Sequence, residues 1–218
     1  MTTLPNEKVN NHTTIKEYIT EVKRGLSNSR TASLLTIAPT LMIINQGIIA
    51  TFLPIYISSK FGVSAAIIGV IISMRVISGS LIAFFMGKLT KIIKEELLLI
   101  FSLILLSISI SFIPFVTSVW TMIAPIMVAG FALGISFPAF QSLLISETPR
   151  ELRASVMSAN GITNRMGQAA GPIIAGAVFT AGGFNSVFYG ASLFLLIMVI
   201  FLTLSFRKHL DLISIRNN

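Results

Sequence analysis

Two long stretches of this chain contain no charged side chain. Residues 97–146 and residues 166–206 lack Asp, Glu, Lys and Arg over 50 and 41 positions, respectively. A water-soluble fold needs more charge than this to cover its surface. A bilayer core about 30 Å thick requires about 20 apolar residues per helix, so each stretch is long enough for two spans joined by a tight turn. The pattern predicts a multi-span membrane protein.

Turn signals and charges divide the apolar sequence into six predicted transmembrane helices. Helices are favoured over strands because backbone polar groups in lipid must be satisfied within the chain, and barrel strands would show an alternating pattern. The predicted fold class is therefore an all-α membrane protein. A hydrophilic segment (1–30) precedes the membrane domain (31–206), and a tail (207–218) follows it. The predicted spans are 34–58, 64–87, 97–115, 119–146, 155–181 and 184–206.

The hydrophilic segment carries a short amphipathic pattern. Its apolar residues Ile15, Ile19, Val22 and Leu26 recur at helical spacing. This pattern is compatible with a helix lying at the membrane interface and also with a polar tail. The first thirty residues lack an apolar core, which argues against a cleavable signal peptide.

The positive charges predict the topology. The chain has 16 Lys and Arg residues and a net charge of +8. With six spans, nearly all of these cations fall on the side that holds both tails, whereas the opposite side carries only Lys60. Cations mark the cytoplasmic face, so we expect a multi-pass protein of the cell membrane with both termini in the cytoplasm. The charge is thus a topology signal, and no nucleic-acid partner is expected.

No residue cluster suggests catalysis or metal binding. The chain contains no cysteine, which excludes disulfides and thiolate metal sites. His12 and His209 lie in the two tails, away from any plausible partner set. We therefore expect neither an enzyme nor a resident metal or cofactor.

Glycines are concentrated in the fourth and fifth spans. Small residues about four positions apart make a flat helix face on which another backbone can pack closely, and an interior proline permits a bend. Such helices suit a moving contact, although ordinary helix packing explains single glycines equally well. The candidate packing and gating residues are Gly130, Gly134, Gly167, Gly171, Pro172 and Gly176.

The sequence before the fifth span resembles a helix start. Thr148 is placed as the N-cap, Pro149 as the first helical residue and Glu151 as the partner in a capping box. The predicted helix therefore begins in the cytoplasm before it enters the membrane.

These motifs resemble those of a known family. The stretch AGFALGISFPAFQ and the later GQAAGPIIAG are similar to the tenth and eleventh helices of major facilitator superfamily transporters. Gly167, Gly171 and Pro172 match the GxxxGP pattern of that family. Gly87 and Leu89 match the opening of its cytoplasmic G-x-L-x-D-R loop. After these two residues the chain departs from the loop motif, because Lys91 stands in place of the acid.

The resemblance covers about residues 31–206 and implies half of that fold. The family has twice as many helices, arranged as two six-helix halves. The chain resembles the C-terminal half, with two three-helix inverted repeats, because mixed, mixed and strongly apolar spans occur in that order twice. Its third and sixth spans are the strongly apolar ones and suit a peripheral position. The implied partners are membrane lipid, a small-molecule substrate, and a missing N-terminal half or a second copy of the chain.

Arg75 is the strongest candidate for a functional residue. It lies twelve residues before Gly87, which places it ~18 Å from the cytoplasmic boundary and near the middle of the membrane. A central arginine costs about 2.5–3.5 kcal/mol even on the lenient insertion scale, so it requires water, a partner or a substrate. All eight acidic residues fall in tails and loops. Arg75 is thus predicted to pair with an acid of the other half or with an anionic part of the substrate, the alternative being a structural arginine that bonds helix carbonyls.

Other polar residues within the spans are weaker candidates. They either line a solute route or bond to neighbouring helices. Arg165 is expected to reach the interface with its charged head. The remaining candidates are Asn45, Gln46, Gln141, Asn160, Asn164 and Gln168.

The predicted function is transport of a small solute by alternating access, with efflux of drugs or metabolites as the expected direction. A proton-coupling carboxylate, if one is used, must lie outside this chain. The alternatives are a permease subunit of an ATP-driven transporter, which would need a coupling loop that is not recognisable here, and a non-functional transporter remnant.

Overall fold

A computed structural model describes the backbone of residue 20 and residues 29–216, and the side chains of residue 20 and residues 31–206. Within this part the chain is built from helices and short connections, and it contains no strand. The prediction of an all-α membrane fold is thereby confirmed. The amphipathic segment around Ile15 to Leu26 lies outside the described residues.

The first span is one continuous helical rod that changes type in its middle. Helix α1 (Ser29–Met42) passes into a π-helix, here π1 (Ile43–Phe52), and then into α2 (Leu53–Phe61). Gly62 ends the rod with a φ of 62°, and its N–H bonds to the Ser58 carbonyl at 2.9 Å. Glycine is the usual residue in this left-handed position because it has no Cβ.

Four further helices follow with short connections. Glu95 and Glu96 occupy the first turn of the second of these helices, where negative charge interacts favourably with the helix dipole. Short 3-10 turns follow the second helix (Ile113–Phe115) and precede the fourth (Arg150–Leu152). The helices are α3 (Ala65–Ile92), α4 (Glu95–Phe112), α5 (Ile123–Glu147) and α6 (Arg153–Arg216).

Helix α6 is broken at Gly182 and Gly183. Their backbone angles are not helical, and Gly183 has a φ of 71°. The two stretches on either side, 153–181 and 184–216, fold back on each other, since both contribute to the wall of one cavity. This break falls where the sequence predicted the boundary between the fifth and sixth spans. The structure contains five continuous segments long and apolar enough to cross a membrane, and the arrangement as two repeats of three remains a prediction.

Side-chain hydrogen bonds define two ends of the bundle. At one end Thr31 Oγ1 donates to the Glu147 carbonyl at 3.3 Å, and the hydroxyls of Ser33 and Ser205 are 2.7 Å apart. We name this the basic end, because the cations of residues 88–94 and 150–153 lie there. At the opposite end Lys60 Nζ donates to the Pro114 carbonyl at 2.9 Å, and we name this the Lys60 end.

Serine hydroxyls link the helices in the interior. The hydroxyls of Ser107 on α4 and Ser192 on α6 are 2.8 Å apart, and Ser136 on α5 donates to Ser102 on α4 at 2.8 Å. Helix α4 packs on α5 and α6, α3 packs on α5, and α6 packs on α1 and π1. Because lipid gives no hydrophobic drive between helices, such bonds and close packing supply the association energy.

Helix α3, and not the strongly apolar α4, is the least buried span. Only 11% of the residues in the most apolar 18-residue stretch of α3 are buried, compared with 50% in the corresponding stretch of α4. One face of α4 is covered by α5 and α6, whereas its other face is exposed. Composition predicted that α4 would be peripheral, but helix contacts decide how much of each face is covered.

The predicted capping box at Thr148 is wrong. Thr148 Oγ1 donates backwards to the Leu144 carbonyl at 2.6 Å, so this side chain belongs to the end of α5. Pro149 is the N-cap of the following 3-10 turn, which has no side-chain cap. Arg153 Nε also donates to the Thr148 carbonyl at 3.2 Å. A threonine hydroxyl can satisfy the carbonyl one turn earlier just as well as an amide ahead of it, and the sequence alone does not decide between them.

The close approach of π1 and α6 yields a prediction about stability. A methyl group on Gly171 would lie 2.8 Å from the Gly47 backbone nitrogen, whereas a methyl on Gly176 would meet nothing within 4 Å. Gly171→Ala should therefore destabilise the folded bundle by about 1–3 kcal/mol through overpacking. Thermal unfolding in detergent measures the effect, and Gly176→Ala is the matched control, with an expected change of about 0.5 kcal/mol or less. Equal melting temperatures for the two variants would contradict this packing.

Candidate functional site: a cavity with a buried arginine

Arg75 lies in the middle of α3 and is bonded to an amide of the first span. Its Nη1 donates to Asn45 Oδ1 at 2.8 Å. Its Nε is buried and has no hydrogen-bond acceptor. The guanidinium is therefore only partly satisfied, although a charge at this depth strongly favours complete pairing. An unsatisfied donor beside a cavity is available to a group that is not part of the described chain.

Asn45 is presented to Arg75 by the π-helical segment. Within π1, Thr51 Oγ1 donates to the Gln46 carbonyl five residues earlier at 2.7 Å. A π-helix is rare and is often found at functional sites, because its wider turn shifts side chains out of the regular α register. Here the shifted segment contains Asn45, Gln46 and Gly47 in succession.

Arg75 and Asn45 lie on the wall of a cavity of about 310 Å³ between α3 and α5. This volume is at the lower end of the range typical of small-molecule sites. The wall contains small residues, two serine or amide groups and one aromatic ring, and among the described residues no carboxylate contributes to it. The lining residues are Asn45, Arg75, Val76, Gly79, Ser80, Ala83, Gly130, Leu133, Gly134, Phe137 and Pro138.

Glycines allow α3 and α5 to pack closely beside this cavity. A methyl group on Gly79 would lie 2.9 Å from the Gly130 carbonyl oxygen, and one on Gly134 would lie 2.9 Å from the Gly79 carbonyl carbon. Ser78 Oγ donates to the Met127 carbonyl at 2.7 Å across the same contact. The packing therefore fixes α3 against α5 within one turn of Arg75.

A second glycine contact joins the first span to α6. A methyl group on Gly167 would lie 2.6 Å from the Pro39 carbonyl oxygen, and Gly171 faces Gly47. Pro172 follows this contact inside α6. Gly47 lies only two residues from Asn45, so π1 connects the α6 contact directly to the Arg75 cavity.

Asn160, Asn164 and Gln168 recur every four residues and form a polar stripe on α6. This stripe lies beside the first span. Gln168 Nε2 donates to the Met42 sulfur at 3.5 Å. The side-chain oxygens of Asn160 and Asn164 are buried and have no hydrogen-bond partner. Buried amide oxygens without a donor are uncommon and mark positions where water or a ligand is expected.

The remaining sequence candidates lie away from the Arg75 cavity. Gln46 and Gln141 are half-buried, and Arg165 is exposed; none of them contributes to the described wall of the cavity. Gly87 is exposed with open space around it, and Leu89 ends α3 by accepting a bond from the Ile93 N–H at 2.9 Å.

Sequence reasoning missed part of the cavity wall. Ser80, Phe137 and Pro138 line it but were not among the candidates. A signal was present in Ser78-Gly79-Ser80, three small residues one turn after an intramembrane arginine. The facing residues on α5 could not be chosen without knowing how the two helices are rotated.

Another cavity is entirely apolar. It has a volume of about 380 Å³ and lies between π1 and the two stretches of α6, where Ile44, Ala175 and Phe194 form part of its wall. It offers no polar group that could orient a ligand. Within the part of the chain that the structure describes, no group of three His, Cys, Asp or Glu side chains could hold a metal ion.

The helices and this cavity define the class of the protein. Residues of the first span, α3 and α5 line a cavity that contains one charged and one amide side chain, as expected for a multi-pass membrane transporter. The sequence pattern of the Major Facilitator Superfamily matches residues 35–212. The chain belongs to this family.

Proteins with detectable similarity to this chain are named multidrug resistance proteins. The chain is similar to the Multidrug resistance protein MdtG of Salmonella arizonae, Salmonella paratyphi B and Salmonella newport. In each case 29% of 174 aligned residues are identical, covering 78% of this chain and 43% of the relative. The chain thus spans less than half the length of these curated relatives.

The Arg75–Asn45 bond can be measured with a double-mutant cycle. Asn45→Ala and Arg75→Met each remove one partner, and their combination should show a coupling free energy of about 0.6–1.7 kcal/mol, the range measured for hydrogen bonds within membranes. Unfolding in mixed micelles gives the four stabilities. Ser80→Ala in place of Asn45→Ala is the control, since Ser80 lines the cavity but has no described bond to Arg75. Additive effects of Asn45→Ala and Arg75→Met would contradict the bond.

Proposed function

We propose that this chain forms half of a secondary transporter that moves a small solute by alternating access. The observation that carries the proposal is the Arg75–Asn45 pair on the wall of a cavity of about 310 Å³. The chain that forms this cavity belongs to a family of transporters. Family membership supports transport and does not favour the ATP-driven alternative. It also supports a role without enzymatic chemistry.

Arg75 is proposed to contact the solute or a group that travels with it. Its guanidinium has one described partner, Asn45, which is neutral. The described carboxylates lie at helix ends and in a short turn at the basic end; they are Glu95, Glu96, Glu147 and Glu151. The counter-charge for Arg75 is therefore an anionic part of the substrate or an acid on a second helical bundle. An acid that couples transport to protons would likewise lie outside the described part of this chain.

A second six-helix bundle is proposed to cover α3. This helix carries Arg75 yet is the least buried span, and its exposed face includes Val76, Ile77, Leu81 and Phe84. The relatives named above are more than twice as long as the matched region. The second bundle is either an N-terminal half or a second copy of this chain.

The glycine contacts are proposed to be the surfaces that move. Gly167 and Gly171 place α6 directly against Pro39 and Gly47, with no side chains between the backbones. Pro172 permits α6 to bend next to this contact. A smooth contact beside a bend allows one helix to tilt on another without repacking large side chains.

The basic end is proposed to face the cytoplasm in the cell membrane. Among the described side chains it carries Lys88, Lys91, Lys94, Arg150 and Arg153, whereas the opposite end has only Lys60. The positive-inside rule gives this orientation and places both chain ends in the cytoplasm. Export of drugs or metabolites is the proposed direction, supported by the relatives named as multidrug resistance proteins.

The two intramembrane arginines provide a matched test. In the assembled transporter, Arg75→Gln should lower the apparent affinity for a transported dye by roughly tenfold or more, because a charged hydrogen bond contributes about 1.5–3 kcal/mol. Arg165→Gln should have little effect, since that side chain is exposed and lies away from the cavity. Dye efflux from cells expressing each variant at equal level, with anionic and cationic dyes, measures the effect.

Comparing Arg75→Gln with Arg165→Gln separates an effect on function from an effect on folding. Equal efflux by the wild type and Arg75→Gln would contradict a substrate role for the cavity. A loss of the same size in both arginine variants would indicate a general effect of removing charge and would also contradict it.

A further inference from the structure

Lys60 is isolated from every other described charge. Of the charged side chains among residues 31–206, it is the only one at the Lys60 end of the bundle. Its Nζ donates to the Tyr56 hydroxyl at 2.7 Å and to the Pro114 carbonyl at 2.9 Å. It also lies 5.1 Å from the centre of the Tyr56 ring. All of these partners are neutral, so they fix the position of the ammonium without compensating its charge.

The ammonium has one hydrogen-bond donor to spare. A lysine ammonium carries three N–H groups, and two of them are used by Tyr56 and Pro114. Within the described part of the chain, no carboxylate approaches this end. The third donor and the full positive charge are therefore available to an anion.

A cavity of about 440 Å³ opens beside Lys60. Its wall is formed by Tyr56, Lys60, Pro114, Phe184 and Asn185 together with the two glycines of the α6 break. The rings of Tyr56 and Phe184 pack edge to face, with centroids 5.3 Å apart. Gly183 leaves open space, since a methyl group there would meet nothing within 4 Å. The exposed Asn185 amide adds a second hydrogen-bond donor.

Exposed aromatic side chains place this cavity at the depth of lipid headgroups. Phe115 is 70% exposed and Trp120 is 61% exposed, and both belong to the connection between α4 and α5 at the Lys60 end. Tryptophan is enriched where the membrane meets water. An anion at this depth, beside apolar rings, is more readily supplied by a lipid than by the solution.

We propose that this cavity binds the phosphate of an anionic phospholipid. The phosphate accepts the third N–H of Lys60 and the amide of Asn185, and the adjoining acyl chains pack along the exposed aromatic rings. The bound lipid then joins the end of α2, the turn after α4 and the break in α6. This site is independent of the Arg75 cavity and does not rest on the proposed transport function.

Trp120 provides a local probe, because it is the only tryptophan in the chain. The full chain is reconstituted in phosphatidylcholine bilayers with increasing fractions of phosphatidylglycerol that carries brominated acyl chains, which quench nearby tryptophan. Quenching gives the binding of phosphatidylglycerol relative to phosphatidylcholine near Trp120. Roughly fivefold preference is expected for the wild type, the effect of about one lysine near an anionic membrane surface.

Three variants and one control define the site. Lys60→Gln should abolish the preference, and Lys60→Arg should retain it, which distinguishes loss of charge from loss of fold. Lys88→Gln is the control, because Lys88 is an exposed lysine at the basic end whose ammonium lies 5.9 Å from the centre of the Phe85 ring. Asn185→Leu should weaken the preference without removing a bond of the Lys60 ammonium.

Two outcomes overturn the proposal. One is an equal preference in the wild type and Lys60→Gln, which would mean that lipid near Trp120 is selected without Lys60. The other is loss of the preference when inorganic phosphate replaces chloride at the same ionic strength, which would assign the site to a soluble anion.

Discussion

The pairing of a single guanidinium, that of Arg75, within an apolar bundle is the interaction on which the arrangement of the other polar groups depends. Arg75 cannot be left without partners in a membrane, and its bond to Asn45 joins α3 to the first span. Asn45 lies in the π-helical segment, which also places Gly47 against Gly171. One polar contact thus couples α3, the first span and α6.

The sequence predicted those parts of the fold that depend on whether a segment lies in lipid or in water. Charge-free stretches predicted membrane-length helices, and turn signals predicted a boundary between residues 181 and 184, where α6 is broken. Arg75 was identified because a charge far from either membrane surface is costly. Its partner could not be chosen, since Asn45 is 30 residues away and π1 alters the direction of its side chain. Lys60 was likewise only a topology marker until the structure placed Tyr56 and Pro114 beside it.

The two ends of the bundle differ in how their charges are treated. The basic end combines cations with carboxylates, and Ser142 donates to Glu95 there at 2.5 Å. Among the described side chains, the Lys60 end holds one cation, which lies among neutral acceptors and aromatic rings. Helix α3 runs between the two ends; it carries Arg75 and is the least buried span. A second bundle against α3 would enclose the Arg75 cavity, as the proposed function requires.

If the cavity beside Arg75 is part of a solute route, it holds water and not lipid. The chain has no cysteine, so single cysteines can be introduced without background. In the assembled transporter in bilayers, Ala83→Cys on the cavity wall should react with a membrane-impermeant cationic thiosulfonate. Ile197→Cys, at a position that is 51% exposed on the outer surface of α6, should not react. Protection of both positions, or equal reaction of both, would contradict a water-filled cavity.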